Sequence, residues 1–470
     1  MAATTTFLSP AVANRSRSAG PRPSLWWGEL VRLLVAASPI VVIGILTMAM
    51  SIADVVMLGR FDPGGLATIV VVSDLYSIVF NFSAGFAGVV TPQVATALGA
   101  RVRWQVCTIV RRTLVLVLAL AAAGALLIFF SSSLLEALGV RQSPAGGAYA
   151  ACMAGTYVFM VLFALVRAVL SAMGRPGAAL LVICAALPVK IFANYAFIAG
   201  AWGMPALGAT GAGMASLLVG LLMGGPLLLH LFASKSFAEF DPLPDQVFVP
   251  PETSGLAISG SLLGLTAVAE TGVFLASTIV IGLFAAGDLL AHTLAFRAVA
   301  TWYLLIAAVG QAVTIRVAYL AARSARGLER HALRAVASFG LVLMAAILLS
   351  LVACADPLGR LLASTISGGA DLADPTADLL RVAGLTLAAL VPAHMMTAVL
   401  RARRIVGVPT GLTLVCYWGL ALGIMLVLSR AGFGAWGVWA SLLLGALASS
   451  IVFAIYFTRA AAAERSFSNP

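Results

Sequence analysis

The sequence predicts an all-α polytopic membrane protein, with twelve transmembrane helices in two parallel-repeat six-helix lobes around a central cleft. Three observations predict it. The chain is 62% hydrophobic and only 10% charged, with a mean hydropathy of +1.07, whereas a soluble globular chain carries about 45–50% apolar and about 25% charged residues. Its 470 residues divide into twelve apolar runs, each near the ~20 residues that cross a ~30 Å hydrocarbon core. Finally, the two halves of the chain echo one another.

Residues 1–24 are rich in Ala, Ser, Thr and Pro, carry Arg15, Arg17 and Arg22, and contain no acid. They lack the apolar h-region of a signal peptide, and a disordered cytoplasmic tail over 1–30 is expected rather than a transit-type presequence. The expected spans are 33–58, 66–91, 113–135, 149–173, 178–200 and 211–233 in the first lobe (31–233). The second lobe (256–458) holds 256–284, 289–315, 333–353, 379–400, 408–429 and 434–458. Between the lobes lies a cytoplasmic linker, 234–255, broken by Pro242, Pro244, Pro250 and Pro251. A cytoplasmic tail, 459–470, follows the last span. Cys107, Cys152, Cys184, Cys354 and Cys416 stand singly, with no metal-binding spacing, and read as small apolar helix residues.

Charge sets the orientation. With the N-terminus inside, the cytoplasmic segments collect Arg32, Arg101, Arg103, Arg111, Arg112, Arg167, Arg175, Lys235 and the basic groups at 316–334, 401–404 and 459–465. The opposite face holds only Arg60, Arg141, Arg360, Arg381 and Arg430. This positive-inside bias places both termini in the cytoplasm of a plasma (inner) membrane protein. The net charge of +11 is thereby accounted for by a bilayer partner, with no nucleic acid. A monomer is expected.

The internal echo supports the lobes. GATGAGMASLLVG at 208–220 matches GAWGVWASLLLG at 434–445, and GRFDPGGLA at 59–67 faces GLFAAGDLLA at 282–291. The offset is about 222–226 residues in each case. Six spans per half return the chain to the same side of the membrane, so the repeats are parallel. A two-lobed bundle of this kind transports by rocking around a cleft. No Walker motif, HExxH, GxSxG or clustered metal spacing appears, and neither catalysis nor a cofactor is expected.

Ionisable groups inside spans are the candidate functional residues, because an unpaired charge in hydrocarbon is costly. Asp54 is the only acid in PIVVIGILTMAMSIADVVMLG. Lys190 lies deep in LLVICAALPVKIFANYAFIAG, and a pairing with Asp54 is expected from cost rather than geometry. Asp74, Glu270, Arg297 and His394 complete the set. Glu270 either binds a cation or proton or pairs with Arg297. Pro39 precedes Asp54 by about four turns. Pro188, two residues before Lys190, removes a backbone donor and is expected to bend or unwind the fifth span beside Lys190 and Asn194. Phe80, Phe82, Phe274, Trp302, Tyr303, Tyr417 and Trp418 are candidate aromatic walls of the cleft.

The stretch SPIVVIGILTMAMSIADVVMLGR, the segment running from LVRAVLSAMGRPG to GATGAGMASLL, the AET around Glu270, AHTLAFR, VTIRVAYLAAR and AVLRARR together resemble the multidrug and toxic compound extrusion family over residues 30–458. The resemblance implies export of organic, often cationic compounds against inward flow of protons or sodium. It assigns Asp54 as the first-helix acid, Pro39 as the first-helix proline, Asn194 as a fifth-helix cation-site residue and Glu270 as the seventh-helix acid. Two positions depart from it. Lys190 replaces an asparagine of the first-lobe cation site, so an ammonium occupies the place of a sodium ion. The second-lobe aspartate falls on or near Leu390, with His394 one turn later. Proton coupling through Asp54–Lys190, Glu270 or His394 is therefore expected over sodium coupling. The expected cargo is an organic cation or amphipath, the alternatives being one endogenous metabolite or lipid-linked precursor, or a non-transporting scaffold or receptor.

Overall fold

A computed structural model describes residues 25–102, 104–137, 144–233, 253–324, 326–364 and 369–468. Of the expected N-terminal tail (1–30) and linker (234–255), residues 1–24 and 234–252 lie outside the described residues, whereas 25–30 and 253–255 are helical, opening the first helix and the helix that follows the linker. Among the described residues, twelve helices are long and apolar enough to cross a membrane.

The chain packs as two compact units, Ser38–Leu265 and Thr266 onward, the latter joined by the start of the first helix as far as Ala37. The helices of the first unit are α1 (Leu25–Phe61, from Ser38), α2 (Pro63–Ala87), α3 (Val90–Gly99), α4 (Trp104–Phe129), α5 (Ser131–Ala137), α6 (Pro144–Ala172), α7 (Gly177–Ala199) and α8 (Gly208–Ala233), closed by the opening of α9 (Thr253–Phe284). The second contains the rest of α9, α10 (Leu289–Ala322), α11 (Arg326–Ile347), α12 (Ala355–Ala363), α13 (Ala373–Ala402), α14 (Gly407–Thr413), α15 (Leu422–Arg430) and α16 (Gly434–Ser468).

Each unit is built on a buried central helix. In the first, α6 packs against α8, α4 and α2. Without a hydrophobic driving force between helices in lipid, close backbone approach supplies the attraction. At Gly224 of α8 an added Cβ would lie 2.4 Å from the Phe159 carbonyl oxygen of α6, so only glycine permits that crossing. In the second unit α13 packs against α10 and α16, and twenty of the residues of α13 between Thr376 and Ala402 are buried.

The internal repeat survives as one capping device used twice. In the first unit the Asp62 Oδ2 accepts from the Ala209 amide at the start of α8, at 3.0 Å. In the second the Asp288 Oδ2 accepts from the Ala435 amide at the start of α16, at 2.9 Å. A carboxylate there satisfies an orphan N–H and meets the positive end of the helix dipole. Gly208 and Gly434 precede the capped residues with φ of +52° and +56°, and a Cβ at either would strike the capping carboxylate.

Several sequence expectations need correction. The first span starts at Trp26 rather than 33, the third at Trp104 rather than 113, the ninth at Gly327 rather than 333 and the tenth at Ala370 rather than 379, so Arg32, Arg111, Arg112 and Arg330 are helical. An arginine's apolar stem lets a helix run past the hydrocarbon edge while its head reaches water. Of the bend or unwinding expected at Pro188, the unwinding is absent, because α7 runs unbroken from Gly177 to Ala199. Loss of one backbone bond is tolerated where neighbouring helices support the rest. The irregular turns fall elsewhere, in the π-helical segments Leu348–Ala353 and Leu414–Ala421, neither of which contains proline.

The second unit also encloses an ion pair that no span assignment anticipates. Arg316 of α10 donates from Nε and Nη2 to the two carboxylate oxygens of Glu29 on α1, at 2.8 and 2.9 Å, and Arg32 donates to the same carboxylate at 2.5 Å. Both Glu29 and Arg316 are only 1% exposed. Removing one partner of a buried pair strands the other charge at a cost of about 3–5 kcal/mol. Glu29→Ala is therefore expected to lower the thermal unfolding midpoint of the detergent-solubilised protein sharply. By contrast, Asp288→Ala loses one cap, about 1 kcal/mol, and should shift the midpoint by a few degrees only. An unchanged midpoint for Glu29→Ala would remove this pair from the stability of the fold.

Candidate functional site

The candidate residues from the sequence fall into two polar clusters, one inside each unit. In the first unit, Lys190 and Asn194 stand four residues apart on α7 and so share one face. Both reach Asp54 of α1. The Lys190 Nζ lies 2.8 Å from the Asp54 Oδ1, and the Asn194 Nδ2 donates to the same oxygen at 2.8 Å. Lys190 also donates to the Ser216 hydroxyl of α8 at 2.6 Å. Ser216 is free to accept because its own proton goes to the Ala212 carbonyl at 2.8 Å. Lys190 is 3% exposed and Asn194 fully buried, whereas 27% of the Asp54 side chain remains accessible. The Asn194 Oδ1 is buried and accepts no hydrogen bond among the described residues.

The arrangement is chemically specific. The inner carboxylate oxygen receives two N–H donors, one of them carrying a full charge. Hard cations require oxygen ligands, and in this geometry α7 turns donors toward Asp54 instead. The pair is also charge-neutral, which is what makes two ionised groups tolerable at membrane depth.

In the second unit Glu270 of α9 is the centre. The Tyr303 hydroxyl of α10 donates to its Oε2 at 2.8 Å. From α13 the His394 Nε2 approaches the same oxygen to 3.6 Å, and the Arg401 Nη2 lies 3.7 Å from Oε1. His394 and Arg401 are two helical turns apart and thus face the same way. The Tyr303 and His394 rings meet edge to face, with centroids 5.6 Å apart. Trp418, in the π-helical segment, donates its indole N–H to the Ala269 carbonyl at 3.0 Å and fixes the turn that carries Glu270.

The structure thus brings Asp54, Lys190 and Asn194 together, and separately Glu270 and His394. Arg297 does not supply the partner for Glu270: it is exposed, and the arginine beside Glu270 is Arg401. Asp74 is exposed on α2, with no ion pair among the described residues. Pro39 lies inside α1, and Pro188 in the helix that carries Lys190. Sequence reasoning missed Ser216, Tyr303 and Arg401 as members. Arg401 is counted among loop arginines there, although its spacing of two turns from His394 is visible in the chain. Tyr303 enters the sequence reading only as a candidate aromatic wall, and nothing local marks Ser216.

The MatE family model matches residues 39–196 and 263–427, the portions that carry both clusters apart from Ser216. A curated relative from Bradyrhizobium diazoefficiens, named "Probable multidrug resistance protein NorM", is 28% identical over 421 residues, covering 89% of this chain and 90% of that protein. Multidrug resistance protein PmpM of Pseudomonas aeruginosa is 27% identical, covering 92% of each chain. Among solved structures, a MATE in complex with MaL6 superposes with a TM-score of 0.82 at 18% identity, covering 94% of this chain and 98% of that one. A MOP superfamily transporter from Pyrococcus furiosus superposes with a TM-score of 0.81 at 16% identity, covering 94% and 98%. With the family model matched over both repeats and twelve spanning helices in the fold that these structures share, the chain belongs to the MatE family.

Proposed function

We propose that this membrane transporter is a proton-coupled antiporter that exports organic cations or amphipaths by alternating access. The secondary-active transport of small organic compounds follows from the family; the driving ion and the cargo are our reading. The observation that carries the ion is the occupied carboxylate of Asp54. Lys190 and Asn194 both present donors to its Oδ1 at 2.8 Å, so the oxygen cage that a sodium ion needs is not offered there. A proton needs only the accessible edge of the same carboxylate. Once Asp54 is protonated, the Coulombic hold on Lys190 is gone, and a buried ammonium without a counter-ion is a strongly unfavourable state. Relief requires α1 and α7 to part or Lys190 to give up its proton, and either response couples proton uptake to a change of shape.

Glu270 supplies the negative charge for a cationic cargo in the second unit. Its ring of Tyr303, His394 and Arg401 holds it between two cationic or potentially cationic groups. A second reading draws on the same basic groups. Relatives are named as multidrug resistance proteins, but the Pyrococcus furiosus transporter is described as having a binding pocket of reverse polarity that suggests a different function. With Lys190 and Arg401 beside the two acids, a dedicated anionic or amphipathic endogenous product is the competing cargo. The distribution of arginine supports a plasma-membrane location with both termini cytoplasmic, and we assign a monomer as the working unit.

Flux in proteoliposomes with proton and sodium gradients imposed separately tests the coupling. Proton-driven flux is expected in the wild type and is lost in Asp54→Asn. Sodium-driven flux in the wild type that persists in Lys190→Ala would overturn the proposal. For the second cluster, Tyr303→Phe removes a hydrogen bond to a charged group, worth about 1.5 kcal/mol, and should lower cation flux by about tenfold at subsaturating substrate. Flux unchanged in Tyr303→Phe and in Glu270→Gln would take Glu270 out of cargo recognition. A panel of unrelated organic cations and anions distinguishes the two cargo readings by which set is moved.

A further inference from the structure

We propose that the outer face of α11, α13 and α16 holds a phospholipid with an anionic headgroup, its acyl chain in an apolar groove and its phosphate on Arg330 and Arg334. All three helices belong to the second unit. The groove encloses about 480 Å³ and is lined only by apolar residues, among them Leu333, Leu341 and Met344 of α11, Val391 and Met396 of α13, and Phe457 of α16. None of Glu270, His394 or Arg401 lines it, so it is separate from the polar cluster of this unit.

Length and charge identify the occupant. From Leu333 to Met344 the groove follows α11 for eleven residues, about 16 Å at 1.5 Å per residue. That is close to the ~15 Å depth of one leaflet, the reach of a single acyl chain. The groove opens on the exposed side chain of Leu341, 66% accessible, on a span that runs through the membrane. At its end the apolar stripe turns basic without changing face. Arg330 precedes Leu333 by three residues and Ala337 by seven, and Arg334 precedes Ala337 by three and Leu341 by seven, so both arginines continue the lining face of α11. Both are exposed and have no ion pair among the described residues. The acid beside them, Glu329, is already held by Arg403, just past the end of α13, at 3.1 Å, and its charge is thereby offset. A groove of one-leaflet depth ending in unpaired guanidinium groups fits a lipid phosphate, for which arginine is a bidentate donor.

Native mass spectrometry of the delipidated full-length protein, offered phosphatidylglycerol and phosphatidylcholine of identical acyl chains, tests the assignment. Each basic residue near a membrane surface contributes about fivefold toward an anionic lipid. The wild type should therefore retain phosphatidylglycerol about tenfold or more over phosphatidylcholine, and the double variant R330Q/R334Q should retain the two equally. Gly340→Leu fills the groove and should abolish retention of the first lipid. Gly340→Ala should keep it, because a Cβ there meets Met395 only at 3.5 Å, an ordinary contact. Leu341→Trp gives a reading that leaves the groove open: its fluorescence should be quenched more by brominated phosphatidylglycerol than by brominated phosphatidylcholine. Equal retention of both lipids by the wild type, retention undiminished in Gly340→Leu, or equal quenching at Leu341→Trp would overturn the proposal.

Discussion

A charge inside a bilayer has no water to solvate it, so each ionised group at that depth must bring its own counter-charge and its own hydrogen bonds. The buried charges of this protein obey that constraint without a common template. Asp54 is neutralised by Lys190 and steadied by Asn194. Glu29 takes both nitrogens of a bidentate Arg316 and a third donor from Arg32. Glu270 is ringed by Tyr303, His394 and Arg401. In each case at least one partner comes from a different helix, so the positions of α1, α7, α9, α10 and α13 are tied to electrostatics as well as to packing. Packing in lipid gives these helices no hydrophobic drive of its own, which raises the weight of the ion pairs in fixing where each helix lies.

The two repeats share scaffold but not chemistry. The offset that places Asp62 on Asp288 also places Gly208 on Gly434, and the cap is reproduced to within 0.1 Å in its hydrogen bond, 3.0 against 2.9 Å. Under the same offset of about 226 residues, Asp54 falls on Val280, Lys190 on Cys416, Asn194 on Leu420 and Glu270 on Gly44. A helix end needs its orphan amides satisfied in both halves, so both halves keep the carboxylate. The proposed cycle uses one charge-switching pair and has no use for a copy of it, and in hydrocarbon an idle copy would carry a cost.

The fold was legible because its signals are long. Twenty apolar residues, a repeat of six spans and arginine-rich turns are each spread over many positions, and local error averages out. The ends of the spans slipped, among them Trp104 and Gly327, where arginine stems blur the hydrocarbon edge. The polar clusters were legible by cost: Asp54 and Lys190 stand out because neither is affordable alone. Ser216 and Tyr303 carry no such cost when read singly, since a serine or tyrosine in a span is unremarkable, and their roles arise only when α8 and α10 bring them to a partner. The same holds for Glu29 and Arg316. Each sits near a helix end where a charge looks solvated, and their separation of 287 residues leaves no local trace.

A neutral ion pair is also the kind of element that can have two states. While Asp54 is ionised, both charges are compensated and α1 and α7 are held together through it. Adding a proton does not weaken this contact gradually, because the carboxylate either carries its charge or does not, and the ammonium of Lys190 is only 3% exposed beside it. An all-or-none loss of attraction inside a close-packed unit is resolved by a jump to another packing rather than by small yielding. A sodium ion in an open oxygen cage would act by the opposite route, adding contacts on binding instead of cancelling one. In the proposed cycle Lys190 suits the first unit to release by a proton rather than to closure around a metal ion, and that difference sets which gradient drives it.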